Sequence, residues 1–194
     1  EIDEELINEA VWRILTLKND LGLFESPYRG ANSAEEKTTV FSQEHRAKAR
    51  EIAEESIVLL KNKDQTLPLN VHQKVALIVP EGQAKDVLGA WSWKGQQSES
   101  VSLYEGLLQH ISKDAIVLKT IDYSIKGTPK DWLTDFNDVD VIIAALGESS
   151  YMSGEGASRS NIKLPSEQIQ LIKNLRTLKK PIILTLFNGK IGRA

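Results

Sequence analysis

Residues 139–146, Val-Asp-Val-Ile-Ile-Ala-Ala-Leu, form the apolar run that decides the fold. The run has the length of a strand, is rich in β-branched side chains and, after Asp140, is apolar at consecutive positions, which is typical of a strand covered on both faces. Three shorter runs of the same kind lie at residues 75–79, 115–118 and 182–187. We therefore predict that these four segments pair in one sheet.

Helix signals lie between the predicted strands. Ser102 and Glu105 have the spacing of a capping box, and Ser166 is a suitable N-cap for the last helix. The predicted helices cover residues 103–111, 129–136 and 167–178. Strands that alternate with helices predict an α/β fold, a three-layer αβα sandwich with a mostly parallel sheet, because parallel neighbours need crossover connections. Ligands of such sheets bind beyond the carboxyl ends of the strands.

The N-terminal part of the chain has a different pattern. Asp3 can cap a helix that carries apolar residues at helical spacing as far as Gly22. A turn-rich, aperiodic stretch follows and predicts a linker, with a domain boundary near residue 30. A second helix is predicted to start behind Ser42 and to continue through Leu60.

Composition favours a small, uncharged partner. The 194 residues carry 24 basic and 27 acidic side chains that are interspersed, so neither nucleic acid nor an acidic membrane is an expected partner. No apolar run reaches the length of about 18 residues that a membrane span needs, and the acidic N-terminus is unlike a signal peptide. The chain has no Cys, and its three His residues lack metal-ligand spacing. We expect no metal and no cofactor.

The loop after the decisive run, residues 147–161 (GESSYMSGEGASRSN), carries the residues best suited to chemistry. Glu155 stands between two glycines, which allow a sharp turn that presents the carboxyl group at a tip. A partly desolvated carboxyl group there can donate a proton near neutral pH, the profile of a general acid. Glu148 is better placed to orient Arg159 or to cap the loop. The alternative for any single Glu is a solvated surface charge.

A second loop, residues 80–95, follows the first predicted strand and contains Trp91 and Trp93 between glycines. Flat indole faces suit stacking on a sugar ring. The same two side chains could instead plug the domain core or a seam between domains. The sequence leaves both interpretations open.

These motifs together resemble glycoside hydrolase family 3, in particular its bacterial β-glucosidase and β-xylosidase branch, which includes periplasmic enzymes. The matching pieces occur in the order found in the family, and they are Leu21-Gly22-Leu23-Phe24, residues 55–62 (ESIVLLKN), Gly89-Ala90-Trp91-Ser92, Leu146-Gly147-Glu148-Ser149, Met152-Ser153-Gly154-Glu155 and Ser158-Arg159-Ser160. The chain departs from the family pattern at Pro80-Glu81-Gly82 and after Gly189.

The resemblance implies a domain organisation. Residues 1–30 would be the terminal helix of the family's N-terminal barrel and the linker, and residues 31–194 would be the C-terminal sandwich domain, truncated at its end. The implied enzyme is periplasmic or secreted, with the cytoplasm as the other location. The barrel of the same enzyme would be the partner of this chain.

The resemblance also implies a reaction, the retaining hydrolysis of terminal non-reducing β-D-glucosyl residues. In the family the nucleophile is an Asp of the barrel and the acid/base is a Glu of the sandwich domain, which here corresponds to Glu155. Trp91, Trp93, Glu148 and Arg159 would bind the β-glucoside or oligosaccharide substrate. The isolated chain lacks the nucleophile and is expected to be inactive.

Two other classes of function share parts of this pattern. A noncatalytic carbohydrate-binding or interaction module could keep the sandwich without the chemistry. A flavodoxin-like or nucleotide-binding domain shares the alternation of strands and helices, but no Gly-x-Gly-x-x-Gly or phosphate loop follows the first strand.

Overall fold

The computed structural model describes residues 2–80, 87–93, 95–121 and 130–189. The chain divides into two compact units, Glu1–Leu60 and Lys61–Ala194. Helices α1 (Glu4–Asp20), α2 (Ser33–Thr39) and α3 (Gln43–Ser56) belong to the first unit. Asp3 caps α1 through its carboxylate, which accepts a hydrogen bond from the backbone N–H of Glu5 at 3.1 Å, as predicted. The short helix α2 was not predicted.

Helix α3 is shorter than the sequence predicted. It begins behind the N-cap Ser42 but ends at Ser56, and Ile57 already has extended backbone angles of φ −72° and ψ 127°. The prediction that the helix continues through Leu60 is therefore wrong. Two adjacent β-branched residues, Ile57 and Val58, follow the last helical residue, and each lowers the helix propensity slightly.

The second unit is built on a four-stranded sheet in the order β2-β1-β3-β4. Its strands are β1 (Val75–Pro80), β2 (Ile116–Ile121), β3 (Val141–Gly147) and β4 (Ile182–Phe187). All three pairings are parallel, and β3 lies between β1 and β4. The decisive run thus occupies an interior position, where every residue of β3 is buried. The predicted α/β fold is confirmed.

Three helices connect the strands: α4 (Leu103–Leu108), α5 (Lys130–Asp135) and α6 (Ser166–Leu175). The predicted capping box of α4 is present, since the Ser102 hydroxyl and the Glu105 carboxylate each satisfy a backbone N–H of the other residue. Helix α6 begins one residue earlier than predicted, with Pro165 at the N-cap position and no capping side chain. The Ser166 hydroxyl bonds instead to the Glu167 carboxylate at 3.0 Å.

Side chains alternate between two apolar clusters on opposite faces of the sheet. On one face, β1 and β3 pack against α5 and α6 through Phe136, Leu171 and Leu175, all fully buried. On the other face, the alternate residues of the same strands pack against Ile111 and the partly buried Leu103 and Leu107 of the α4 region. Helices therefore cover both faces, which establishes the three-layer sandwich.

Some predictions lie outside the described residues. They are the variant turn at residues 81 and 82, Lys94 of the loop at residues 80–95 (from here on the Trp loop), the start of α5 behind Thr128, and the departure from the family pattern at residues 190–194. The contacts divide the chain after Leu60. The predicted boundary near residue 30 concerns the end of a barrel domain and stays a prediction.

Candidate functional site

Loops from three neighbouring strands come together at the carboxyl edge of the sheet. They follow β1, β3 and β4, and we call the loop after β3, residues 148–163, the Glu155 loop. A Cβ atom added to Gly154 would lie 2.9 Å from the Cβ of Ala90, and one added to Gly189 would lie 2.6 Å from the Cβ of Ser153. The Glu155 loop therefore touches both the Trp loop and the segment after β4 at glycines.

The last residue of β3 is fixed by a buried side-chain amide. Gln168 of α6 is 2% exposed, accepts a hydrogen bond from the Gly147 N–H at 3.0 Å, and donates one to the Gly147 carbonyl at 2.8 Å. Gly147 has φ 145°, and a Cβ atom there would lie 2.7 Å from the carbonyl carbon of Phe187. Only glycine fits this position, because the backbones of β3 and β4 approach too closely for a side chain.

Glu148 emerges from the sheet directly after this clamp. Its backbone N–H donates to the Phe187 carbonyl at 2.8 Å, which fixes the direction of the chain. Its side chain is 10% exposed, and its Oε1 lies 3.1 Å from Nη1 of Arg159, which is 20% exposed. The other carboxylate oxygen, Oε2, is buried without a hydrogen-bond partner among the described residues. A carboxylate at this depth needs the charge of Arg159 beside it.

Arg159 joins distant parts of the Glu155 loop. Arg159 has two contacts besides the one with Glu148. Its Nη1 lies 3.1 Å from the sulfur of Met152, and its Nη2 donates to the backbone carbonyl of Lys163 at 3.1 Å. One guanidinium therefore contacts the start, the middle and the end of the loop. The sequence had indicated Glu148 as the residue that orients Arg159, and these two residues do form an ion pair.

Glu155 itself is exposed at the tip of its loop. The flanking Gly154 and Gly156 have φ 112° and φ 75°, conformations that L-residues rarely adopt. A turn closes here, since the Ala157 N–H donates to the Gly154 carbonyl at 3.2 Å. The expected sharp turn that presents Glu155 at a tip is present in the backbone.

Trp91 and Trp93 project from the Trp loop. They are 73% and 94% exposed, and the Trp93 N–H donates to the Trp91 carbonyl at 3.0 Å in a tight turn. Neither side chain is buried, so they do not plug the core of the described residues, and a position in a seam between domains stays a prediction. The neighbouring Glu155 loop adds a third exposed aromatic side chain, Tyr151, which is 91% exposed and which the sequence analysis missed.

Gln168 was also not predicted as a site residue. A signal was present, because Gln168 occupies the same helical face as Leu171 and Leu175, where an apolar residue is expected. A polar residue at such an inward position needs a buried partner. The roles of Met152 and of the Lys163 carbonyl had no signal in the sequence.

The arrangement offers a solvent-facing carboxylate on a loop that touches the Trp loop, supported by a partly buried ion pair. A carboxyl group so placed can exchange a proton with a bound molecule. Among the described residues there is no group of three or more His, Asp or Glu side chains that could hold a metal ion. In the same residues no helix combines the length and the apolar composition of a membrane span.

Comparisons with known proteins agree with this architecture. Residues 57–192 match the model of the glycosyl hydrolase family 3 C-terminal domain. The chain is 32% identical to a periplasmic beta-glucosidase of Salmonella typhimurium over 95% of its own length and 28% of that protein. It is 30% identical to a beta-xylosidase of Formosa agariphila, over 95% of its own length and 27% of that protein. The chain thus spans less than a third of the length of these relatives.

Solved structures give the same result. The crystal structure of a beta-glucosidase from Listeria innocua superposes with a TM-score of 0.85 and 37% identity, over 97% of this chain and 26% of that one. A mutant of the same enzyme has been crystallised in complex with laminaribiose, also with a TM-score of 0.85. The similarity extends over both compact units of the present chain.

Proposed function

The chain belongs to glycosyl hydrolase family 3, and from this membership we propose that it is the part of a retaining β-glucosidase that supplies the acid/base carboxylate, Glu155. The observation that carries the proposal is the position of Glu155. It is exposed at the tip of a glycine-flanked loop at the carboxyl edge of a parallel sheet, which is where α/β sheets bind their ligands. A barrel domain of the same enzyme would supply the nucleophile.

The proposed reaction has two steps. In the first, the nucleophilic carboxylate attacks the anomeric carbon while Glu155 gives its proton to the glycosidic oxygen, and the leaving sugar departs as an alcohol. In the second, Glu155 takes a proton from the water that attacks the anomeric carbon of the glycosyl-enzyme. The bond to the nucleophile breaks, the free sugar leaves, and the nucleophile is again a carboxylate while Glu155 is again protonated. The two carboxyl groups of a retaining pair stand about 5–5.5 Å apart, so the barrel must meet this edge of the sheet.

We assign Trp91 and Trp93 to the binding of the leaving-group sugar. Their exposed indole faces lie on a loop that touches the Glu155 loop at Ala90 and Gly154, so a sugar that reaches Glu155 can stack on one of them. Substrate binding is the role that the resemblance implies for Glu148 and Arg159, but their low exposure, 10% and 20%, favours a structural role instead. The substrate class, terminal β-D-glucosyl residues, and a location outside the cytoplasm are proposed from the names of the similar proteins.

The first experiment tests whether the site is shared between two domains. Hydrolysis of a chromogenic aryl β-glucoside is measured with this chain alone, with a separately produced family barrel, and with the mixture. Activity in the mixture only is the expected result. Activity of the chain alone would mean that the nucleophile lies within these residues, and the proposal would be wrong.

The second experiment tests Glu155 in a chimera, in which this chain replaces the matching part of the Listeria innocua enzyme. Glu155→Ala should lower kcat/KM by about 10²–10⁴-fold on β-glucosides with poor leaving groups, because protonation of the departing oxygen is lost. Activated aryl β-glucosides need little protonation and should lose much less, and azide should restore their turnover.

A matched control is Asp114→Ala, which removes an exposed carboxylate just before β2, at the opposite edge of the sheet. This variant should have unchanged kcat/KM on both classes of substrate. Equal loss on both substrates for Glu155→Ala, without rescue by azide, would refute the acid/base role.

A further inference from the structure

Three anchor points of the Glu155 loop converge on one guanidinium. Arg159 contacts Glu148 where the loop leaves β3, Met152 at the end of a 3-10 turn, and the carbonyl of Lys163 just before α6, each at 3.1 Å. These contacts use two different nitrogens of one planar group. The loop is therefore held from its first residue to its last by a single side chain.

The geometry of these contacts is specific to arginine. Nη1 serves Glu148 and Met152, whereas Nη2 serves Lys163, so the acceptors surround a rigid fork of donors. A lysine ammonium is a single point on a flexible stem and cannot reproduce this arrangement. Replacement of Arg159 by Lys would keep the charge beside Glu148 and lose the simultaneous bonds.

Glu148 provides the fixed end of this connection. Its backbone is bonded to Phe187, and the preceding Gly147 is clamped by the buried amide of Gln168. The side chain of Glu148 is 10% exposed, and its Oε2 is fully enclosed. A carboxylate with this burial is poorly placed to contact a sugar directly, but it is well placed to hold a cation in one position.

Glu155 lies between one anchor, Met152, and Arg159 itself. It follows Met152 by three residues and precedes Arg159 by four, which limits its reach to about 11 Å from one anchor and about 14 Å from the other, even with the chain fully extended. The contacts of Ser153 with Gly189 and of Gly154 with Ala90 shorten this free segment further. A displacement of Arg159 would therefore also displace Glu155.

We propose that Glu148 and Arg159 form a positioning unit that holds the Glu155 carboxyl group at the glycosidic oxygen, and that they act through Glu155 and do not contact the substrate. This inference rests on the proposed acid/base function of Glu155. Acid catalysis requires a precise approach of the carboxyl group, since displacement of a catalytic group by about 1 Å can cost about 10²-fold in rate. Loss of the pair should thus remove part of the contribution of Glu155 and leave the rest of the site working.

The test uses the chimera with the Listeria innocua barrel and compares two substrates. Arg159→Lys should lower kcat/KM by about 10²-fold on a β-glucoside with a poor leaving group, such as laminaribiose, and by less than about 10-fold on a dinitrophenyl β-glucoside, which needs little acid catalysis. Glu148→Gln should show the same selective loss. The double variant should be no worse than the more impaired single variant, because residues that act as a unit are non-additive.

Lys163→Ala is the matched control. It removes a side chain at the third anchor but keeps the backbone carbonyl that Arg159 uses, so both activities should stay unchanged. Met152→Leu keeps the volume and removes the sulfur acceptor, and it should give a smaller loss with the same selectivity. This variant and Arg159→Lys decide the question if Glu148→Gln does not fold.

Three outcomes would overturn the inference. They are equal losses on the two substrates for Arg159→Lys, additive losses in the double variant, and activity of Arg159→Lys equal to that of the unmodified chimera. Glu155→Ala is measured beside these variants. If Glu155→Ala itself shows no selective loss on the poor leaving group, the proposed function has failed; if it does and Arg159→Lys does not, only the positioning role is wrong.

Discussion

Replacement of Gln168 by Met should reveal how strongly the carboxyl edge of the sheet depends on one buried amide. Met has nearly the same length, suits a helix and is apolar, so it fills the space but bonds to neither backbone group of Gly147. Both the backbone N–H and the carbonyl of Gly147 bond to Gln168. Both would lose this partner, and Gln168 is only 2% exposed, so water cannot easily replace it.

The magnitude follows from the number of groups affected. Leaving one buried polar group without a partner costs about 1–3 kcal/mol, so the two groups of Gly147 together predict a loss of about 2–6 kcal/mol in the free energy of unfolding. This is a large part of the about 5–15 kcal/mol that stabilises a typical domain. With a urea dependence of about 2 kcal/mol per M, the unfolding midpoint should fall by about 1–3 M.

Urea unfolding followed by tryptophan fluorescence is a suitable assay. Trp132 is 8% exposed in the core of the second unit, whereas Trp12, Trp91 and Trp93 are exposed, so the signal should report mainly on the sandwich. Gln170→Met on the same helix is the control. Gln170 is exposed and its amide donates only to Asn174 at 3.0 Å, a contact worth about 0.2–0.5 kcal/mol. Equal unfolding midpoints for the two Met variants would show that the hydrogen bonds of Gln168 to Gly147 do not stabilise the domain.

Three further substitutions test other parts of the fold. Gly147→Ala should prevent accumulation of soluble, folded chain, because its Cβ would overlap the Phe187 carbonyl, and the yield of soluble chain measures this. Gly106→Ala, where no atom outside the backbone of its own helix lies within 4 Å, should raise stability by about 0.5–1 kcal/mol, measured by thermal unfolding. Ser102→Ala should cost about 0.5–2 kcal/mol by removing the capping box of α4, seen as a lower melting temperature; an unchanged melting temperature would contradict this role of the cap.

The architecture was predictable because its signals are local. A continuous apolar run such as 141–146 indicates a strand that is buried on both faces, and the capping box at Ser102 identifies a helix start from residues three positions apart. The limits of the elements were less predictable. Helix α3 ended at Ser56 although the apolar periodicity continued, because periodicity does not report the preference of Ile57 for extended backbone.

The candidate site divides in the same way. Glu155 could be selected from sequence because the two glycines beside it already indicate an unusual backbone, and the Trp residues because large aromatic side chains in a polar loop are conspicuous. Their exposure was undecided until the structure placed both indoles in solvent. The roles proposed for Glu155, Trp91 and Trp93 await the experiments above.

Local sequence was sufficient to predict the strands, most helix starts, the α/β class and the loop that carries Glu155, since each depends on neighbouring residues. The fold was needed to show that Glu148 is largely enclosed against Arg159, that Arg159 also contacts Met152 and Lys163, and that Gln168 bonds to a residue 21 positions away. The physical reason is that such partners are brought together by the packing of β3, β4 and α6. The sequence shows which donors and acceptors each side chain carries, but the fold determines which groups they bond to.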